Sequence, residues 1–306
     1  MRPVTSSLLA GVELKIAGSK YLEGLQASTQ SGALFGVFDK WFIRVVTRLS
    51  SLDPEKPWEE SVATETARAP SGSASLEWDL LRLRLFLDRR QQGRFVSYAQ
   101  REASAQHYFP RFGTEFGSDV LLTCQGAGAA AQWRGLPLMK TAFDLALYPQ
   151  LLSNVRPKTI FEIGSGTGGS AMWLADHMAL LGIAGSVHSV DLLPVKSQHS
   201  GVTFTAGDCR QPHTLFAEEV LAAAPHPWLV IEDAHQNVGG VLVHLHPYLI
   251  EGDYIFVEDS DIKRDDLRGF LSSREAAYRV DTHYTDFFGR NATCALDSIF
   301  IRTAAP

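Results

Sequence analysis

Cysteine is scarce in this chain. Three residues, Cys124, Cys209 and Cys294, are spread over 306 positions. An odd, widely spaced set excludes a disulfide framework or a cysteine-rich zinc site, and suits free thiols in a reducing cytoplasm. Positive charge is not in excess either: 28 Lys and Arg stand against 34 Asp and Glu, a net charge of −6. Nothing in that balance calls for a nucleic-acid backbone as partner. No apolar run reaches the roughly 20 residues that a membrane-spanning helix needs. The start, Met1 to Ala10, faintly resembles a signal peptide, but Glu13 and Lys15 break its apolar run at once, so no leader is expected. The H-x-D/E spacing of an iron-binding facial triad is missing. No internal repeat is visible. Asn291-Ala-Thr293 spells a glycosylation acceptor, which carries no meaning in a cytoplasmic protein.

What is present is enough for a globular core, with 45% hydrophobic residues in a length that suits one large domain or two smaller ones. The first third, residues 1–130, reads as a mainly helical region distinct from the rest. Leu34, Phe38, Trp41, Val45 and Leu49 recur at helical spacing, widened by Phe35, Phe42 and Val46. This stripe predicts packing on the main domain or on a second copy, hence a homo-oligomer. A membrane-surface role is disfavoured because its polar face is not strongly basic. Residues 61–75 read as a linker. Leu80–Leu87 fits a helix and an alternating strand equally.

Residues 131–306 are regular. Leu145 to Leu152 reads as a helix. Strands are predicted at 159–163, 186–191, 202–207, 228–232 and 254–258, with helices at 169–181, 212–223 and 237–249. Tyr278 to Asp286 and Ser298 to Arg302 read as a closing hairpin. The expected fold class is therefore α/β: a Rossmann-like, seven-stranded, mostly parallel sheet ending in an antiparallel hairpin.

Acids close several of these strands. Trp228-Leu-Val-Ile-Glu232 and Tyr254-Ile-Phe-Val-Glu258-Asp259 end in carboxylates 26 residues apart. If the strands are neighbours, about 4.8 Å apart, the three acids converge. Unpaired carboxylates that close repel one another, which makes a divalent cation their natural partner. Upstream, Thr159-Ile-Phe-Glu162-Ile runs into Gly164-Ser165-Gly166-Thr167-Gly168-Gly169 and then a helix beginning near Ser170. Alone this loop also fits a dinucleotide fingerprint. Glu162 before it suits an amine-bearing cofactor, Asp191 suits two ribose hydroxyls, and Asp208, beside Cys209, suits an adenine amino group. Each acid alone also fits a strand terminator or a helix cap. Together, at successive strand ends, they favour a nucleoside pocket.

These motifs, with Glu-Asp-Ala-His235 and the approach Trp133-Arg-Gly-Leu-Pro-Leu-Met-Lys140, resemble the class I S-adenosyl-L-methionine-dependent methyltransferases. They are most similar to the cephalosporin-hydroxylase and rhamnosyl O-methyltransferase group, near the metal-dependent macrolide-sugar O-methyltransferases. The resemblance covers residues 130–300 and implies S-adenosyl-L-methionine and Mg2+ as cofactors. It places the ion on Glu232, Glu258 and Asp259, with Asp233 an alternative first ligand, and the general base at His235. Bottom-up, His235 also fits a helix cap, and its near-neutral pKa suits removal of a hydroxyl proton. The resemblance further implies transfer to a hydroxyl of a small molecule, a sugar or polyketide secondary metabolite such as an antibiotic. Tyr108, Trp133, Phe287, Phe288 and Asn291 are candidates for the acceptor pocket, and core packing is their alternative role. Two rival readings stand beside this one: an NAD(P)-dependent oxidoreductase, which leaves Glu162 and the metal acids unexplained, and a degenerate methyltransferase fold acting as a scaffold.

Overall fold

The computed structural model describes residues 93–105, 113–114, 120 and 131–304. The chain divides after Gln91 into two units, and every described residue lies in the second. The stripe from Leu34 to Leu49, residues 61–75, Leu80–Leu87, Tyr108 and Cys124 lie outside the described residues.

Five strands are parallel neighbours: β8 (Tyr254–Val257), β7 (Trp228–Glu232), β4 (Thr159–Ile163), β5 (Ser186–Asp191) and β6 (Val202–Ala206). β4 and β7 are buried at every position, as strands covered on both faces must be. Alternate residues feed two cores. Phe161, Ile163, Val230, Ile255 and Val257 meet α5 (Val238–Leu245) and α6 (Arg264–Leu271) on one face. Ile160, Leu229, Ile231 and Phe256 meet α2 (Ala142–Val155) and α3 (Gly169–Leu180) on the other. β4 pairs with both β5 and β7, so the strand order reverses there. In such sheets the crevice at the reversal, outside the strands' carboxyl ends, is where ligands bind.

The antiparallel end of the sheet is formed by β10 (Ile299–Arg302), which pairs with β8 and with β9 (Tyr278–Asp281). The expected hairpin is present, but its first strand stops at Asp281 rather than Asp286. The Asp281 side chain accepts from the His283 amide at 3.1 Å and starts the short helix α7 (Thr282–Thr285). An eighth strand, β1 (Phe95–Val96), adds to β9 and was not foreseen, because two residues carry no periodicity. It leads into α1 (Tyr98–Ser104), opened by a reciprocal Ser97–Gln100 capping box. α1 is anchored by buried Arg101, whose guanidinium meets Asp286 and Asp297, each at 2.6 Å.

Two predicted helices are shorter than expected. The 212–223 segment divides into a 3-10 turn, Pro212–Thr214, and α4 (Glu218–Ala223). In the 237–249 segment α5 ends at Leu245, where Pro247 lacks the N–H to continue it. Ahead of the sheet, a small hairpin joins β2 (Gln132–Trp133) to β3 (Leu136–Pro137). Its turn residues Arg134 and Gly135 both have positive φ, 52° and 80°, the signature of a tight two-residue hairpin. No described helix is long and apolar enough to cross a membrane.

Candidate functional site

A cavity of about 800 Å³ opens at the carboxyl ends of the parallel strands. Every strand end lines it: Gly164 to Thr167 after β4, Asp191 and Leu192 after β5, Gly207 to Arg210 after β6, Asp233 to Gln236 after β7, and Asp259 after β8. Met139 and Lys140, which follow the β2–β3 hairpin, close one side.

The glycine loop is shaped by close backbone approach. A Cβ on Gly164 would lie 2.7 Å from the Asp233 carbonyl carbon, and its φ is +104°. Gly164→Ala therefore must push Asp233 outward. We expect it to cost about 1–3 kcal/mol, read as a lower urea midpoint. Gly166 stands in open space, and its amide donates to Asp191 Oδ2 at 2.9 Å. Ser165, Ser170, Asp191, Asp208 and Cys209 all line the cavity, as the nucleoside reading requires. Burial pushes the Cys209 thiol up to about 11, so it faces the cavity as a neutral group. Asp208 is held below its ordinary range by the Arg210 guanidinium at 2.8 Å.

Two residues of the expected cofactor set lie elsewhere. Gly168 starts α3 at φ +90°, against Phe204. Glu162 is fully buried behind the loop, does not line the cavity, and accepts from Ser189 at 2.5 Å. Its Oε1 makes no hydrogen bond. Burial pushes its carboxyl up, against the opposing pull of Lys140.

The expected metal trio is not the one the fold gathers. Glu232 is the last residue of β7, and the strand's pleat turns it inward. There Lys263 Nζ meets it at 2.8 Å and the Ala234 amide donates at 3.1 Å. Glu258 is likewise buried. It lies 2.7 Å from Lys140 Nζ and accepts from the Tyr148 hydroxyl at 2.5 Å. Asp233, one residue past the strand, points the other way. Asp233, His235 and Asp259 bring one ligand atom each within 4.8 Å of one another. Asp233 and Asp259 also line the cavity, so the donor set present fits a divalent cation. His235 and Asp259 both have left-handed backbones, at φ 59° and 46°. Such conformations are uncommon outside glycine and concentrate at functional sites. His235 Nε2 lies 3.3 Å from Asp259 Oδ2, and that contact raises the imidazole pKa above its ordinary value.

The described acceptor candidates do not line this cavity. Trp133 Nε1 donates to Asp176 at 2.7 Å on the outer side of α3. Asn291 is fully buried, bonded to the Gly113 carbonyl, the Arg101 guanidinium and the Asp297 amide. Its burial, with that of Thr293, also leaves the apparent glycosylation acceptor inaccessible. Phe287 and Phe288 are 43% and 39% exposed and pack on each other, with Phe288 also against Phe143. Residues the sequence reading missed are Lys140, Tyr148 and Lys263. The signal for the two lysines is that buried glutamates need cations, and for Tyr148 there is none; which side chain reaches which acid is set by tertiary packing.

Residues 126–276 match the family described as Rhamnosyl O-methyltransferase/CmcI. The Rhamnosyl O-methyltransferase of Mycobacterium leprae (strain TN) is 31% identical over 146 residues, 42% of this chain and 60% of that protein. The chain thus spans about 60% of the length of the curated relatives it matches. A solved CmcI structure described as apo is 28% identical at a TM-score of 0.51, covering 58% of this chain and 78% of that one. A CmcI structure described with Mg and SAM is 30% identical at a TM-score of 0.50, covering 57% and 78%.

Proposed function

We propose, from the match of residues 126–276 to the Rhamnosyl O-methyltransferase/CmcI family, that the chain moves a methyl group from S-adenosyl-L-methionine to a hydroxyl oxygen with the help of Mg2+. One observation carries this reading. A single cavity joins the glycine loop, Asp191 and Asp208 to the Asp233–His235–Asp259 cluster.

The nucleoside end is supplied by Asp191, for the ribose hydroxyls, and by Asp208 and Cys209 beside the base. Gly164, Ser165, Gly166 and Ser170 let the methionine part approach the backbone. Among the described residues four carboxylates line the cavity, and its two cationic side chains, Lys140 and Arg210, are already paired. That balance disfavours a pyrophosphate and so the nicotinamide reading. Glu162, gathered behind Ser165 and Ser189, stiffens the loop from below.

Mg2+ prefers oxygen ligands, which assigns Asp233 and Asp259 to the ion and leaves His235 for the proton. When bound, the ion supplies Lewis-acid activation of the acceptor hydroxyl. His235 Nε2 faces Asp259 at 3.3 Å, which orients the ring and leaves Nδ1 as the nitrogen that takes the hydroxyl proton. When bound at Asp191, Asp208 and the glycine loop, S-adenosyl-L-methionine would supply the methyl group and would be left as S-adenosylhomocysteine. The cofactor carries the activated methyl group, so the protein's main work is alignment. The acceptor is a small molecule, a sugar or polyketide hydroxyl of a secondary metabolite such as an antibiotic, methylated in the cytoplasm by a homo-oligomer. Residues 131–306, joined by β1 and α1 from residues 95–104, form the methyltransferase domain, and the part of 1–130 ahead of them is the oligomerisation region.

Calorimetry tests the reading. S-adenosylhomocysteine should bind and NADH should not; the reverse result defeats the proposal. Asp191→Ala should weaken that binding, since each charge-assisted hydrogen bond lost is worth about 1.5–3 kcal/mol. Turnover should vanish in EDTA and return with Mg2+.

A further inference from the structure

We infer that Asp176, on the outer side of α3, is a positioning residue that clamps together the two loops walling the cofactor cavity. This rests on the cofactor reading above for its consequence, but the clamp itself stands on geometry.

Each Asp176 oxygen accepts twice. Oδ2 takes Trp133 Nε1 at 2.7 Å and Arg134 Nε at 2.6 Å. Oδ1 takes Arg134 Nη2 at 2.8 Å and meets His199 Nε2 at 3.1 Å. The His199 tautomer follows from its other nitrogen. Nδ1 accepts from the Gly201 amide at 3.1 Å, so the ring proton sits on Nε2 and donates to Asp176. Arg134 first, with Trp133 and His199 assisting, holds the Asp176 carboxyl well below its ordinary range, so it stays ionised.

The donors come from two separate segments. Trp133 and Arg134 belong to the β2–β3 hairpin, which continues directly into Met139 and Lys140 at the cavity wall. His199 belongs to the loop after β5, where the strand's last residue, Asp191, and the loop's first, Leu192, line the cavity. Both segments also press on the glycine loop. A Cβ on Gly169 would lie 2.2 Å from the Pro137 carbonyl oxygen, and one on Gly168 would lie 3.0 Å from Val195. Ser197 Oγ donates to the Thr167 carbonyl at 3.3 Å. One carboxylate thus fixes hairpin, helix and loop in a single arrangement, and the cofactor is bound by that arrangement. If loss of the clamp leaves it populated about a tenth of the time, apparent affinity falls about tenfold.

The test uses the full chain with Asp176→Asn, which keeps shape but sets an amide donor against the clamp's donors, and Asp176→Ala. Hydrogen exchange without cofactor should show residues 132–140 and 192–201 losing amide protection together in both variants, with the central strands unchanged. Calorimetry should show S-adenosylhomocysteine affinity about tenfold weaker. In turnover, KM for the cofactor should rise while kcat holds, a split that a general loss of stability does not produce. Exchange loss confined to the hairpin, or cofactor affinity within about twofold of wild type, overturns the clamp. Wild-type protein that does not bind S-adenosylhomocysteine counts against the cofactor reading instead, and the exchange result then decides the clamp alone.

Discussion

His235→Ala is expected to slow methyl transfer by about 10²–10⁴-fold, the usual worth of a positioned general base. The fold should survive, because the ring is half-exposed and its only described side-chain partner is Asp259. Binding of S-adenosylhomocysteine should also survive, since the nucleoside end of the cavity is built from other strands. The effect should therefore appear in kcat, with cofactor affinity held. Among the described residues no other histidine lines the cavity. His246 bonds the Tyr278 hydroxyl at 2.8 Å, His283 packs on Tyr284 and Phe287, and neither lines the cavity. Wild-type turnover in the variant, measured across pH 6–9, would remove the base assignment. The backbone makes the position specific. At φ 59° His235 sits where few non-glycine residues are comfortable, so even a conservative replacement must accept the same strained turn.

The sheet was legible because its strands announce themselves. Thr159-Ile-Phe-Glu-Ile and Trp228-Leu-Val-Ile-Glu are apolar runs too short for helices, each bounded by a turn, and the structure places both at the buried centre. The glycine loop was legible for a similar reason: only glycine allows the approach of Asp233 to Gly164. The details that escaped depend on contacts between distant positions. Glu232 and Asp233 are adjacent in sequence, and the pleat alone decides which meets the cavity. Glu258 was read as a metal acid because its partners, Lys140 and Tyr148, lie more than 100 positions away and carry no motif. The aromatic candidates went astray because a ring's burial says nothing about which wall it joins. Trp133 proved to belong to the outer clamp, and Asn291 to the buried network around Arg101.

Lys140→Met should destabilise the protein by about 3–5 kcal/mol, the cost of stripping one partner from a buried ion pair. The side chain is 3% exposed, and its ammonium lies 2.7 Å from Glu258 and 3.0 Å from Asp233. Burial works against that charge, yet Glu258, Asp233 and Glu162 outweigh it and hold the lysine well above its ordinary range. Removing the ammonium leaves buried Glu258 with the Tyr148 hydroxyl alone, and frees Asp233 from the wall that fixes it. Urea unfolding should show a lower midpoint with an unchanged slope. Adding Glu258→Gln to the variant should recover much of the loss, because a neutral amide no longer needs the missing cation, whereas Lys140→Arg keeps the charge but must fit a larger head in the same space. The recovery separates two roles for Glu258. If it serves as the lysine's partner, Lys140→Met with Glu258→Gln is more stable than Lys140→Met alone and still binds Mn2+ through Asp233 and Asp259. If Glu258 is itself a metal ligand, the double variant loses the ion, and the trio of Glu232, Glu258 and Asp259 returns in place of the one proposed.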